Sequence, residues 1–474
     1  MSIVQRNYSI PHGSSDFVSN VDVSIPASLV PHKPNLAMES RSKIVSIPSS
    51  NGSNQSASGL LFWQIPNNGY YRGQSGYFKM QIQVTVQNTH SAAQNINVYP
   101  TGSIASIINR MTIYLASQQA ESINNYNRFH RVLLENCVNP SYRNMDAQMA
   151  EYAGIGLQAQ AVPFAAGANT STVLFNVAFP VASGILMSER SFPLFLLNSY
   201  LQIQFDLASV ADSFYCIGAT NNNCNVVSYT VQNPQFVYEN ISCSGEWEAR
   251  IKQKLLEGHM YNFPIHSTLG LQFAVNAQTV SYIAGVGLSS VDGVVLVQNK
   301  AAGPANADNP LISNGLGDTG NTNSNFRLFT DGEQRCQFNL TYDAELEMEK
   351  QRCFSSLYDC NIVNSVSNVP SMAASLTGTT VGCQTVVGGA ANNSTSLNAI
   401  NWSLVAPKNN GACRAFSLRK FNESDLDMVG RAVSTLNVIV DGLTTVDSSI
   451  QAYLYVLYSA QLKIDMSGAV MLVK

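Results

Sequence analysis

Apolar residues recur at every second position through much of the chain, and that period predicts strands. The segment GYFKMQIQVTVQN sets Phe78, Met80, Ile82, Val84 and Val86 on one face. NRMTIYLAS does the same with Met111, Ile113 and Leu115. In SFPLFLLNSYLQIQFDLAS the front half, Phe192 to Leu197, is almost wholly apolar and holds a proline. The back half alternates strictly, with Leu201, Ile203, Phe205 and Leu207 opposed to Gln202, Gln204 and Asp206. A strand with one clean apolar face has to bury it against a second sheet, about 10 Å away. The pattern therefore predicts pairs of antiparallel sheets.

Helical spacing shows clearly in three places. In SINNYNRFHRVLLENC, Tyr126, Phe129, Leu133 and Cys137 are three or four apart, with Ser122 or Asn124 placed to cap. In DAELEMEKQRCFSSLYDC, Leu346, Cys353, Leu357 and Cys360 share a face. Acidic residues crowd its first turn, where the helix dipole favours them. The third, GEWEARIKQKLLEG, sits near the middle of the chain.

These landmarks repeat in order. A strand around Met111 leads into the helix around Phe129, and RCQFNLTYD, with Cys336, Phe338, Leu340 and Tyr342, leads into the helix around Cys353. The strand Leu201–Leu207 has its counterpart in STLNVIVDG, with Leu436, Val438 and Val440. Each half then closes on further strand pattern, VVSYTVQNPQFVYENIS in the first and IQAYLYVLYSAQLKIDMSG in the second. A near-constant offset implies a duplicated unit of roughly 200 residues. Its boundary falls between Ser244 and Met260, on the central helix. Two antiparallel sheets per half, with long crossing loops, fit an all-β chain of two consecutive eight-stranded jelly-roll sandwiches, each with a short helix. The expected organisation is an N-terminal arm over residues 1–58, a first jelly roll over 59–245, a linker helix over 246–260 and a second jelly roll over 261–474.

Composition narrows what such a chain can do. Hydrophobic residues make up 45 % of the 474, enough for large cores. Charged residues make up only 12 %, against an ordinary ~25 %. Asn, Ser, Thr, Gln and Gly take their place, which suits strands and turns and suggests surface that meets other protein. A net charge of −4 and the absence of a basic arm in the first fifty residues argue against a dedicated nucleic-acid binder. No apolar run reaches the ~18 residues of a membrane span. The opening MSIVQRNYSIPHGSS has no apolar h-region, so secretion is not expected and the nine scattered cysteines are read as reduced thiols. The sequons at Asn240, Asn339 and Asn393 are accordingly read as chance.

No constellation that carries chemistry emerges. GLGDTG, Gly315 to Gly320, matches a dinucleotide-binding pattern, but no helical pattern follows it, and it is read as loop. Asp343, Glu345, Glu347 and Glu349 are read as a solvated helix start, because residues two apart on a helix do not face each other. The histidines His12, His32, His90, His130, His259 and His266 show no metalloprotease spacing, and His130, beside Arg128 and Arg131, reads as a surface residue. There is no Cys-x-x-Cys and no Gly-x-Ser-x-Gly, and Cys353 and Cys360 read as core thiols. Hence no catalytic, cofactor-binding or metal-ligating residue is assigned, no cofactor is expected, and the chain is read as no enzyme.

Two consecutive jelly rolls joined by a short linker resemble the double jelly-roll major capsid proteins of tailless icosahedral double-stranded DNA viruses. The segments FPVASGILMSE and PLFLLNSYLQIQFDLA, with TGSIASIINRMTIYLASQQAESINNYNRF, look like the branch that holds polinton-like viruses, adintoviruses and virophages. The resemblance runs from Gly59 to the end. It implies a homotrimer whose six jelly rolls make a pseudo-hexameric capsomer, tiling an icosahedral shell around the genome. The partners it implies are the chain itself, neighbouring capsomers, penton and minor capsid proteins and, in some groups, an internal membrane. The implied location is the virion, after synthesis in the host cytosol.

The main alternative is a carbohydrate-binding or adhesive β-sandwich, a lectin or fibre, which would display aromatic residues in loops. Trp63 and Trp402 sit in strand pattern and Trp247 in helical pattern, which favours packing. A β-rich glycoside hydrolase would need converging carboxylates, and charge is scarce. A capsid protein with one shell jelly roll and one protruding domain is disfavoured by the helix repeated in both halves. The polar stretch from Lys300 to Asn325 has only Leu311, Ile312 and Leu316 as large apolar residues and is expected to project from the second jelly roll.

The thiol reading is checkable. Alkylation under denaturing, non-reducing conditions should modify all nine cysteines in freshly purified protein, by intact mass. Two or more disulfides would reverse it.

Overall fold

The computed structural model describes residues 40–89, 93–101, 103–137, 160–164, 169–218, 224–275, 277, 279–300, 325–335, 348–350, 352–354, 380–381, 384–385, 413–419, 430–441 and 450–474. Residues 1–39, the interior of the Lys300–Asn325 stretch with GLGDTG, the Cys336–Tyr342 segment and Trp402 lie outside this set. The helical pattern around Cys353 is described only at Met348–Lys350 and Arg352–Phe354, where Cys353 is buried.

The first half contains β1 (Ser40–Pro48), β2 (Asn54–Ser56), β3 (Leu60–Ile65), β4 (Tyr70–Tyr71), β5 (Tyr77–Asn88), β6 (Gln94–Pro100), β7 (Ile108–Leu115) and β8 (Gln118–Asn124). Helix α1 (Tyr126–Cys137) follows, then β9 (Gln160–Phe164), β10 (Asn169–Phe179), β11 (Phe192–Pro193), β12 (Leu201–Leu207), β13 (Phe214–Gly218) and β14 (Cys224–Cys243). The linker helix α2 covers Gly245–Leu256. The second half contains β15 (Tyr261–Ala274), β16 (Val280–Lys300), β17 (Asn325–Thr330), β18 (Glu333–Gln334), the two-residue pair β19 (Thr380–Val381) and β20 (Gln384–Thr385), β21 (Arg414–Ser417), β22 (Arg431–Asp441), β23 (Ile450–Ile464) and β24 (Val470–Val473).

Strand order makes the duplication explicit. In the first half one sheet runs β10-β5-β14 with β1 also on β14, and the other runs β3-β12-β7-β8. In the second half, β16 pairs β22 over Val280–Val291 and β23 over Val291–Lys300, with bulges between Gly285 and Gly293. Bulges are how a strand turns a corner between two packed sheets. Divided there, the second half runs β16-β22-β17-β18 in one layer and β21-β16-β23-β15 in the other, the same two orders. Both halves are antiparallel jelly rolls. β12 and β22 hold the same slot, as the Leu201 and Leu436 patterns required.

One landmark moves. The counterpart of β7 is β17, upstream of Cys336, because each is followed by a two-residue turn into the next strand of its sheet. In the first turn Ala116 and Ser117 have φ of 49° and 67°, and in the second Asp331 and Gly332 have 52° and 83°. Two positive values in succession are the I′ geometry that matches strand twist. The alternation in Cys336–Tyr342 resembles that of β7, so periodicity alone chose the later strand.

The apolar face of β12 is buried as its period demands. Phe205 lies 4.6 Å from Phe78 of the opposed sheet, ring to ring, and 5.1 Å from Trp63 on neighbouring β3. The apolar front half of the same segment, Leu194 to Leu197, is also buried. Phe192 reaches Phe263 of the second jelly roll in an edge-on contact at 5.1 Å. Among the described residues strand structure starts at Ser40, since β1 and β2 both join β14 and Val45 and Ile47 pack on the core. Residues 40–58 thus contribute to the first sandwich.

Phe205→Ala should cost about 3–5 kcal/mol in denaturant unfolding, because the aromatic cluster on the opposed sheet cannot close over the gap. A loss under 1 kcal/mol would place the inter-sheet core elsewhere.

Candidate assembly interface

The two jelly rolls meet edge to edge. β8 ends one sheet of the first, and β15 ends one sheet of the second. An edge strand presents unpaired backbone groups, so covering one edge with another removes two liabilities together. The approach is close because glycine permits it. A Cβ on Gly270 of β15 would stand 2.5 Å from the carbonyl oxygen of Asn124, and one on Gly184 2.0 Å from that of His266. The Asn124 side-chain amide donates to the Gly270 carbonyl at 3.5 Å.

Helix α1 extends this seam. Asn125 takes a left-handed φ of 51° between β8 and α1. Its carbonyl accepts from the Tyr455 hydroxyl at 3.0 Å and from the amide of Phe129. The Phe129 ring lies 5.1 Å from Tyr455, and the Arg128 guanidinium sits 4.5 Å over Tyr453 while pairing with Asp212 at 2.9 Å. Two expectations are corrected here. Ser122 and Asn124 do not cap α1, because Ser122 lies in β8 against Thr112 and Asn124 turns to Gly270. His130 is not a surface residue, since it is 3 % exposed with Nδ1 3.2 Å from the Ser103 hydroxyl. Arg128 and Arg131 are buried too, because α1 is enclosed by Ile104–Ile107, β7 and the second jelly roll.

At the centre lies Glu121 of β8, 1 % exposed. Its carboxylate accepts from the Ser183 hydroxyl at 2.5 Å, the Gly184 amide at 3.0 Å and the Ser267 hydroxyl of β15 at 2.8 Å. Burial pushes its pKa above the usual carboxylate range, while the bonds from Gly184, Ser183 and Ser267 pull it back in part. No sequence motif marked this residue. A lone Glu in a β8 pattern of mixed polarity carries no sign that three distant donors will converge on it.

A second cluster assembles His266, Asp292 and Ser459. Ser459 donates to Asp292, and His266 Nδ1 lies 3.0 Å from the Ser459 hydroxyl and 3.6 Å from Asp292. These are the residue types of a hydrolytic triad in the wrong order, since the acid holds the serine and not the far side of the imidazole. Ser459 is also fully buried, so a substrate carbonyl cannot reach it. The cluster comes from the register pairing His266 with Ser459, nearly two hundred residues apart in the chain. Among the described residues no three His, Cys, Asp or Glu gather as metal ligands, and no helix is long and apolar enough to cross a membrane. Glu349 pairs with Arg352 at 2.6 Å. Asp343, Glu345 and Glu347 lie outside the described set. Trp63 is buried, and the Trp247 indole donates to the Tyr70 hydroxyl at 3.0 Å.

No family model and no curated protein matches the chain. Among solved structures it is similar to the mavirus major capsid protein, with a TM-score of 0.54 at 9 % identity over 95 % of each chain. The Faustovirus major capsid protein matches with a TM-score of 0.54 at 9 % identity, over 95 % of this chain and 93 % of that one. A chain of the Sputnik virophage matches with 0.51 at 11 % identity, over 95 % and 92 %. At such identities the likeness is one of fold, and it spans both sandwiches: the chain has the double jelly-roll fold of those capsid proteins.

Glu121 makes the seam sensitive to pH in a defined direction. Burial favours its neutral form, so the folded chain holds that proton to a higher pH than the unfolded chain. The resulting stabilisation is complete below the ordinary carboxylate value of 4.5 and is lost as pH rises through the higher folded value. Glu121→Gln should therefore raise the melting temperature at pH 8 relative to wild type and flatten its decline above pH 5. Glu121→Ala should lower it at every pH, since each donor left without an acceptor costs about 1–3 kcal/mol.

Proposed function

We propose that this chain is a structural major capsid protein. Three copies form a pseudo-hexameric capsomer of six jelly rolls, and capsomers tile an icosahedral shell around a viral genome. The observation that carries this reading is the pair of sandwiches with identical strand order, locked by a buried seam, in a fold that follows viral capsid proteins along nearly the whole chain. A capsid tile needs broad, stiff, charge-poor flanks more than a reactive cleft, and only 12 % of residues are charged. The role is non-catalytic, and the buried Ser459 supports that. Synthesis in a host cytosol, residence in the virion, contact with penton and minor capsid proteins and, in some assemblies, an internal membrane follow from the same reading. The N-terminal arm serves the capsomer base or a neighbour in it. The lectin or fibre alternative loses ground at Trp63, which is buried in the core, while Trp247 is exposed on the linker helix beside Tyr70.

Light scattering of purified protein should give about three times 51.3 kDa, since stable trimers hold through large interfaces. Negative-stain images should show hexagonal tiles or closed shells. A monodisperse monomer across a wide concentration range would refute the proposal, and sugar-dependent stability would favour the lectin.

A further inference from the structure

Two buried thiols meet where the first jelly roll passes from one sheet to another. β13 belongs to the three-stranded sheet β13-β6-β9, and β14 to the sheet β10-β5-β14. The Phe214 ring of β13 lies 5.8 Å from Phe175 of β10 and 5.4 Å from Tyr229 of β14, so the two sheets pack on each other. β13 ends at Gly218 and β14 begins at Cys224. Side chains two apart on a strand share a face. Cys216 therefore points inward with Phe214, and Cys224 with Val226, and all four are buried.

Both cysteines are free thiols, and across the gap between the strands they hydrogen-bond each other. Such a contact is the geometry from which a sulfur–sulfur bond of about 2.05 Å closes by side-chain rotation. The two thiols differ in access to water. Cys224 is the first residue of β14, and its ladder partner Asn88 is the last of β5. A ladder end opens locally at far lower cost than the middle of a sheet. Cys216 lies within β13, opposite Val98 of β6, with the Gly218–Ile96 pair still beyond it. The hydrogen bond to Cys224, and after it burial, push the Cys216 thiol above the usual range. While the ladder is closed Cys216 keeps its proton and is a poor nucleophile.

We propose that Cys216 and Cys224 form a redox pair that closes to a disulfide on meeting a low-molecular-weight disulfide such as oxidised glutathione. Cys224, at the opened ladder end, gives its proton to water and attacks one sulfur of the reagent. The reagent's own sulfur–sulfur bond breaks and one glutathione thiolate leaves. Cys216 then loses its proton and attacks the Cys224 sulfur, expelling the second glutathione thiolate. Two protein thiols are oxidised, and one small disulfide is reduced to two thiols. The product ties together two sheets that no backbone ladder joins at β13 and β14. The occasion for it, a particle leaving a reducing cytosol for an oxidising medium, rests on the capsid reading above. The chemistry rests on the contact of the two thiols.

Reduced wild-type protein incubated with oxidised glutathione tests the pair. Alkylation under denaturing conditions should modify nine cysteines before treatment and two fewer after it, by intact mass. Non-reducing peptide mapping should join Cys216 to Cys224, and dithiothreitol should restore all nine thiols. Cys216→Ser should collect a stable glutathione adduct at Cys224, whereas Cys224→Ser should leave Cys216 unmodified. The wild-type map decides the pairing even where a serine variant fails to fold. Both cysteines still alkylated after days in oxidised glutathione, or either one joined to a different cysteine, would overturn the pair and leave the capsid reading untouched. A protein that forms this bond yet stays monomeric would overturn the capsid reading and leave the pair standing.

Discussion

A buried seam between two edge strands sets the rest of this molecule. β8 and β15 each end their own sheet, and they meet where Asn124 approaches Gly270 and Ser267 bonds Glu121. The approach is possible only where side chains are absent, at Gly184 and Gly270. From that closeness follow the enclosure of α1, the burial of His130 and Arg131, and the placing of Tyr453 and Tyr455 over Arg128 and Phe129. Two sandwiches on a string would need none of these. Here they work as one body within Arg41–Lys474.

A dry apolar seam could tolerate a shift of register, since one aliphatic contact resembles the next. Glu121 does not tolerate it. A buried carboxylate left short of donors is costly, and Ser183, Gly184 and Ser267 satisfy it from two separate segments at one alignment only. The residue trades some stability for a single docking geometry.

The same strand order in both halves gives β1 of the first jelly roll the slot that β15 holds in the second. The two differ in surroundings, since Ile44 on β1 is exposed whereas β15 meets β8 at Gly270 and Ser267.

Period-two alternation determined the strands, because side chains on a pleated backbone face alternate sides and one side must leave water. It made legible β5, β7, β12, β22 and the burial of Phe205 against an opposed sheet, and helical spacing with the repeated landmarks marked α1, α2 and the duplication. Alternation carries no information about which strand lies beside which. It therefore aligned β7 with the Cys336 segment, and it left Ser40–Pro48 inside an arm, since four charged or hydroxyl side chains, Ser40 to Lys43, precede its short apolar run. Neighbouring Arg128 and Arg131 likewise made His130 read as a surface residue, although it is buried. Tertiary structure alone decided those points, along with the Glu121 and His266–Asp292–Ser459 clusters. Each depends on groups far apart in the chain that only strand order and the close approaches at Gly184 and Gly270 bring together.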